Sequence, residues 1–328
     1  MQLTSKLLLD KVNSHIAQLD YARDPMNLYL PVQYVLSLGG KRIRPVLMLM
    51  TYNLFSPDVD GILDPAVGIE VYHNFTLLHD DLMDRATMRR GHQTVHLKWN
   101  DNTAVLSGDV MLSLADLYMS HCPDIYFRSV MATFTRTAIE ITEGQQYDMD
   151  FESRDDVTEE EYMEMIRLKT SVLIACSMKI GAILGGSSDE DAENLYRAGE
   201  QMGLAFQLHD DYLDVYGDTE SFGKKTGGDI LCNKKTFLYI MSMRRASPAQ
   251  REELQRWFSI RTTDILSCQQ KIDAVTRLYT ELDMPRICKE QEDKCYCLAH
   301  GYLDKVEVCE DKKNVLREYL AGMMNRKA

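Results

Sequence analysis
Apolar residues return every three or four positions through most of this chain, and that period predicts one helix after another with no strand-like alternation between them. The first twenty residues, MQLTSKLLLDKVNSHIAQLD, read as an amphipathic opening helix, and Tyr162 to Leu184 and Leu195 to Tyr216 as longer ones. Start signals agree. Thr158 with Glu161 and Ser247 with Gln250 are spaced as capping boxes, the second with Pro248 at the first helical position. Predicted breaks fall near Asp24-Pro25, Ser56-Pro57, Cys122-Pro123, Gly185-Gly186 and the Gly217 to Asp229 stretch, none of which resembles a long flexible linker. The expectation is about ten or more helices in a single domain, residues 1–328; no repeat of roughly 20 to 50 residues recurs, which excludes a solenoid.

Composition narrows this to an all-α fold. Only 8 Pro and 18 Gly, with 19 Met and many Leu, Ala, Glu and Lys, favour helix over sheet, and 328 residues suffice for a sizeable core. A net charge of −13 argues against general nucleic-acid binding. The opening helix has an acid soon after its apolar stretch and no small-residue cleavage site, so it does not read as a signal peptide. The longest apolar stretch, Ser171 to Leu184, is short for a membrane span and is interrupted by Lys179, so no stable membrane insertion is expected. Eight irregularly spaced cysteines read as reduced thiols, and a cytoplasmic location follows. Cys295, Cys297 and His300 match no standard zinc spacing.

The chemistry gathers in two copies of one acidic motif: DDLMD at Asp80, Asp81 and Asp84, and DDYLD at Asp210, Asp211 and Asp214. On a helix the first and last carboxylates of each copy lie about 40° apart and the middle one about 100° from the first, so the three share a face. Like charges so placed repel, which implies a use for the charge. Oxygen-only donors suit a hard divalent ion, Mg²⁺ above all, completed by phosphate oxygens and water. Either motif alone could be a solvated acidic face. The apolar flanks, Leu77, Leu78, Leu82 and Met83 in one case and Leu204, Ala205, Phe206, Leu208, Tyr212 and Leu213 in the other, predict largely buried helices instead.

Six carboxylates cannot hold an anion unless metals and cations reverse the sign, and positive charge gathers in three places. Gly39-Gly40-Lys41-Arg42-Ile43-Arg44-Pro45 puts close-approach glycines before three cations. Arg89-Arg90-Gly91 follows the first acidic run, with guanidinium forks suited to phosphate. Gly223-Lys224-Lys225 follows the second, with Gly227, Gly228, Asp229 and Asn233-Lys234 beyond it. Such a chain can take two diphosphates, one through metals and one directly on cations.

These residues resemble the trans-isoprenyl diphosphate synthase (polyprenyl synthetase) family, from Gly39 to about Lys235: GGKRIRP, LLHDDLMDRATMRRG, GQQYD, LKT and QLHDDYLDVYGD stand in the family's order. The resemblance implies a single-domain helical bundle of the isoprenoid synthase type with a central active-site cavity. It implies a cluster of up to three Mg²⁺ ions held by Asp80, Asp81, Asp84, Asp210, Asp211 and Asp214 and gripping the allylic diphosphate. Lys41, Arg44, His73 and Arg90 would bind isopentenyl diphosphate; Arg89, Lys169, Lys224 and Lys234 would reach the allylic diphosphate. Lys169, Thr170 and Gln207 would surround the reacting allylic carbon, and Asp148 would support a metal-bound water. His73 precedes Asp80 by seven residues, hence on the same helical face. The implied reaction is ionisation of the allylic diphosphate, attack by isopentenyl diphosphate and loss of a proton, giving a trans product five carbons longer. The resemblance also implies a homodimer.

Product length would follow from what blocks the tunnel beneath the first motif. Tyr72, Phe75 and Thr76 lie within about two turns before Asp80, where two aromatics can form a floor. By resemblance that suits a short-chain enzyme making fifteen- to twenty-carbon farnesyl or geranylgeranyl diphosphate. The aromatic pair of animal-type farnesyl enzymes is only half present, however, and the two-residue insertion of many bacterial ones is missing, so a longer-chain synthase remains the alternative within the class. A terpene cyclase would need neither GGKRIRP nor a second complete motif; a non-catalytic prenyl-diphosphate-binding partner subunit would be expected to have lost carboxylates. Arg326 and Lys327 receive no role, exposed terminal charges being common.

Overall fold
In the computed structural model the described residues are 3–217, 226–261 and 264–324. They are all-α apart from one two-stranded ribbon and fall into two compact units, Met1–Arg136 with Cys176–Tyr196 and Val306–Leu316, and Thr137–Ala175 with Arg197–Lys305 and Arg317–Ala328.

The first unit holds α1 (Ser5–Gln18), α2 (Met26–Ser37), α3 (Ile43–Phe55), α4 (Leu63–Met83), the short α5 (Val95–Lys98), α6 (Asp101–Ser120) and the start of α7 (Asp124–Glu152). Its centre is α4, packed against α1, α2, α3 and α6, so its middle is buried on all sides: Ala66, Val67, Ile69, Val71 and Tyr72 all meet protein. Thr4 caps α1 by accepting the Leu7 N–H, and Asn100 caps α6 from the Thr103 N–H, each satisfying a first-turn donor. After α4 comes the feature that helical periodicity did not announce, a ribbon of β1 (Met88–Arg89) and β2 (His92–Gln93). Its turn residues, Arg90 at φ 53° and Gly91 at φ 77°, both take the positive values that a tight two-residue hairpin requires.

The second unit continues α7 and adds α8 (Glu159–Ile166), a π turn (Arg167–Ser171), the first residues of α9 (Val172–Gly185), which passes into the first unit from Cys176, the later part of α10 (Asp189–Tyr216), α11 (Gly228–Leu231), α12 (Phe237–Arg245), α13 (Pro248–Ser259), α14 (Ile265–Glu281), α15 (Met284–Asp304) and the end of α16 (Glu310–Met324). Both expected capping boxes form, Thr158 with Glu161 and Ser247 with Gln250. Leu204, Ala205 and Leu208 of α10 share one core with Tyr162, Met165, Phe237, Val275 and Tyr279. The apolar stretch ending at Leu184 belongs to a longer helical run, Glu159–Gly185, apolar enough by length to cross a membrane; 72% of its most apolar window is buried inside the protein, as in a core helix. Among the described residues no disulfide joins any of the eight cysteines.

Candidate active site
In the first unit, the loop from α2 to α3 divides its three cations. Lys41 is exposed, Arg44 half-buried, and Arg42 is turned inward, 4% exposed, with its guanidinium on Glu70 Oε1 at 2.7 Å and on the Leu36 carbonyl at 2.7 Å. Arg42 is therefore a structural cation, a distinction GGKRIRP does not carry in its spelling. Arg44 Nη1 donates to His73 Nε2 at 3.2 Å. Burial, and then the charges of Arg44, Arg90, Arg89 and Arg42, hold the His73 pKa well below its ordinary value, so the ring is neutral and free to accept. Arg90 donates to the Gly39 carbonyl and, at 3.4 Å, to Asn74 Oδ1. A Cβ on Gly40 would lie 3.0 Å from Arg90 Cζ, so the bare glycine is what admits that guanidinium. The structure thus brings Arg44, His73 and Arg90 together, with Lys41 exposed in the adjoining loop, and adds Glu70 and Asn74.

The first acidic motif ends α4. Asp80 is half-buried, Asp81 is buried, and Asp84 is exposed beyond the last helical residue. The motif's helix is less enclosed than its apolar flank suggests, since Met83 is 45% exposed. Arg89 grips Asp81 with Nε at 3.0 Å and Nη2 at 2.6 Å, so the ribbon is tied back to the helix that precedes it. Behind the motif Tyr72 is fully buried, edge-on to Phe75 at 5.5 Å and to Phe134 of α7 at 5.3 Å, while Phe75 meets the His79 ring at 4.8 Å. The Thr76 hydroxyl donates to the His73 carbonyl at 2.9 Å. Sequence reasoning missed Phe134, which only packing brings to this floor.

In the second unit, Lys169 and Thr170 sit on the π turn, a wide turn that redirects side chains and recurs at functional sites. Gly144 of GQQYD allows it: a Cβ there would collide with the Lys169 backbone nitrogen. Lys169 Nζ lies 2.5 Å from Asp148 Oδ2, so Asp148 supports that ammonium, a partner the motif reading had not given it. Thr170 donates to Gln207 Oε1 at 3.1 Å, Gln207 Nε2 donates to Asp211 Oδ1 at 3.0 Å, and the Tyr162 phenol donates to Asp211 Oδ2. Burial first, then the charges of Asp229 and Asp210, push the Asp211 carboxyl up to about 8 against the lowering effect of its two hydrogen bonds. Asp210 and Asp214 are half-buried, and Asp214 Oδ2 accepts the Asp229 N–H at 3.0 Å. Lys234 is exposed, 3.8 Å from Asp229, whereas Lys235 is nearly buried. Asp148, Tyr162, Lys169, Thr170, Asp211 and Lys234 share one cleft. Lys224 lies outside the described residues.

The donors suit Mg²⁺. His79 and His209, the imidazoles next to the two acidic pairs, face the Val105 carbonyl at 3.2 Å and Glu292 at 3.2 Å, which leaves oxygen donors beside the motifs. Among the described residues no three Asp, Glu, His or Cys side chains converge as a preformed cage.

A polyprenyl synthetase family model matches residues 25–277. The geranylgeranyl diphosphate synthase of Methanosarcina mazei is 41% identical over 242 residues, 71% of this chain and 75% of that protein. The geranylfarnesyl diphosphate synthase of Natronomonas pharaonis is 41% identical over 248 residues, 70% of this chain and 72% of that protein. A crystal structure of a geranylgeranyl pyrophosphate synthase matches with a TM-score of 0.95 at 39% identity, covering 99% of this chain and all of that one. With both aspartate motifs and the basic loop in place, the chain belongs to the polyprenyl synthetase family and is a prenyltransferase.

Proposed function
We propose that the protein condenses isopentenyl diphosphate head-to-tail with an allylic diphosphate, releasing diphosphate and giving a trans prenyl diphosphate of fifteen to twenty carbons. The observation that carries this reading is that the chain keeps two complete carboxylate motifs, each with its middle aspartate held by protein side chains, and a guanidinium cluster around a neutral His73. Asp80, Asp84, Asp210 and Asp214 would hold Mg²⁺, which when bound neutralises charge developing on the departing diphosphate. Asp81 and Asp211, engaged by Arg89 and by Tyr162 and Gln207, would orient the motifs instead.

Lys41, Arg44 and Arg90 bind the isopentenyl diphosphate by charge, and neutral His73 fixes the Arg44 fork. Lys169 and Lys234 serve the allylic diphosphate. Gln207 accepts from Thr170 and donates to Asp211, so its amide is fixed and its dipole can face an allylic cation without reorganising. By the resemblance, Lys224 and Arg89 would also reach the allylic diphosphate. The protein would act in the cytoplasm, where its cysteines stay reduced, as a homodimer; the exposed Leu106, Leu117 and Ile125 of α6 and α7 support an association surface.

Overall identity does not fix product length, since relatives equally similar to this chain are named for different products. The aromatic floor decides it. Replacing half-buried Phe75 by alanine is expected to lengthen the product by one or more five-carbon units, read by chromatography of the dephosphorylated products; an unchanged distribution refutes the floor. Tyr72→Ala tests it less cleanly, because deleting a fully buried ring costs about 3–5 kcal/mol of stability.

The direct experiment incubates the protein with Mg²⁺, labelled isopentenyl diphosphate and, separately, dimethylallyl, geranyl or farnesyl diphosphate. A dominant fifteen- or twenty-carbon product is expected. No elongation from any starter would overturn the reading in favour of a non-catalytic prenyl-diphosphate-binding subunit, and a much longer product would move it to the long-chain class.

A further inference from the structure
Lys271, on α14, is 1% exposed and does not line the cleft. Its ammonium donates to Asn233 Oδ1 and, at 2.9 Å, to the Ile260 carbonyl, and lies 5.7 Å from the centre of the Phe258 ring. Burial lowers its pKa. Interring a lysine on neutral acceptors is costly, so a use for it is expected.

The use is visible in Asn233. Helix α11 ends in a paired C-terminal motif: the Lys234 N–H donates to the Asp229 carbonyl at 2.9 Å and the Asn233 N–H to the Ile230 carbonyl at 3.2 Å. That motif needs a left-handed residue at the position of Asn233, whose φ is 58°. Glycine takes this conformation with least strain. Asparagine adds only a side chain, and that side chain is what Lys271 holds. The next two residues are Lys234 and Lys235, both lining the cleft with Lys169 and Asp211.

We propose that Lys271 is a positioning residue: by fixing Asn233 in its left-handed turn, it sets the register in which Lys234 presents its ammonium group to the allylic diphosphate. The proposal rests on the reading of the cleft as the allylic site.

The test uses the full-length protein with Mg²⁺. Asn233→Gly keeps the turn and removes the contact with Lys271; Lys271→Met removes the charge and fills its space. Both are expected to raise KM for geranyl diphosphate about tenfold, with kcat and KM for isopentenyl diphosphate changed by less than about twofold, the signature of lost binding on one substrate only. An unchanged geranyl diphosphate KM in Asn233→Gly overturns the proposal, as does a fall in kcat with both KM values intact, which is what a merely structural role would give. Lys234→Ala, assayed in parallel, separates the two failures. If it raises the geranyl diphosphate KM while Asn233→Gly does not, only the positioning role falls; if it has no effect, the cleft reading falls and takes the proposal with it.

Discussion

Asp80→Ala and Asp210→Ala are each expected to slow turnover by about three orders of magnitude at saturating Mg²⁺ while leaving the thermal midpoint at or slightly above that of the parent. The first half follows from metal chemistry. Removing a ligand forfeits several kcal/mol of charge stabilisation, and each 1.36 kcal/mol is about tenfold in rate. The second half follows from where the carboxylates sit. Each is half-buried with another aspartate of its motif one turn on, Asp84 or Asp214, so deleting one relieves like-charge repulsion and opens no core cavity. Steady-state assays with labelled isopentenyl diphosphate, run beside thermal melts, separate lost chemistry from lost fold. Near-normal rates at saturating Mg²⁺ would refute the ligand assignment.

Glu70→Ala is expected to cost about 3–5 kcal/mol of folding stability, because it strands the Arg42 guanidinium in a site where both side chains are only 2% exposed. Against a typical total of about 5–15 kcal/mol, that is a large fraction. Glu70 also accepts from Asn74 Nδ2 at 2.9 Å, and Asn74 Oδ1 receives Arg90, so the loss should loosen the guanidinium cluster as well. Urea titration reads the first effect and KM for isopentenyl diphosphate the second. The double variant Arg42→Met with Glu70→Leu should recover most of the stability, since a well-packed apolar pair of similar volume is often as stable as a buried ion pair. A single-variant loss under about 1 kcal/mol would show that water reaches the pair.

The sequence by itself determined the helices, their caps and most of their breaks, because these depend on residues within one or two turns: the Thr158 and Ser247 boxes, the apolar period of α4 and α10, the proline and glycine punctuation at residues 25, 57, 123 and 185–186. It also located both acidic motifs and the three basic segments, since an unusual local density of like charge is visible in one dimension. Tertiary structure alone decided which of those charges are committed to the protein. Nothing near Arg42 distinguishes it from Arg44, yet a residue 28 positions away makes it structural. Asp211 differs from Asp210 through Tyr162, 49 positions earlier, and the floor behind Phe75 is completed by Phe134 from another helix. The π turn under Lys169 arises in the same way, where α7 presses close at Gly144. Local propensity acts through neighbours in the chain, whereas burial and electrostatic pairing act through neighbours in space, and these are known only once the helices have packed.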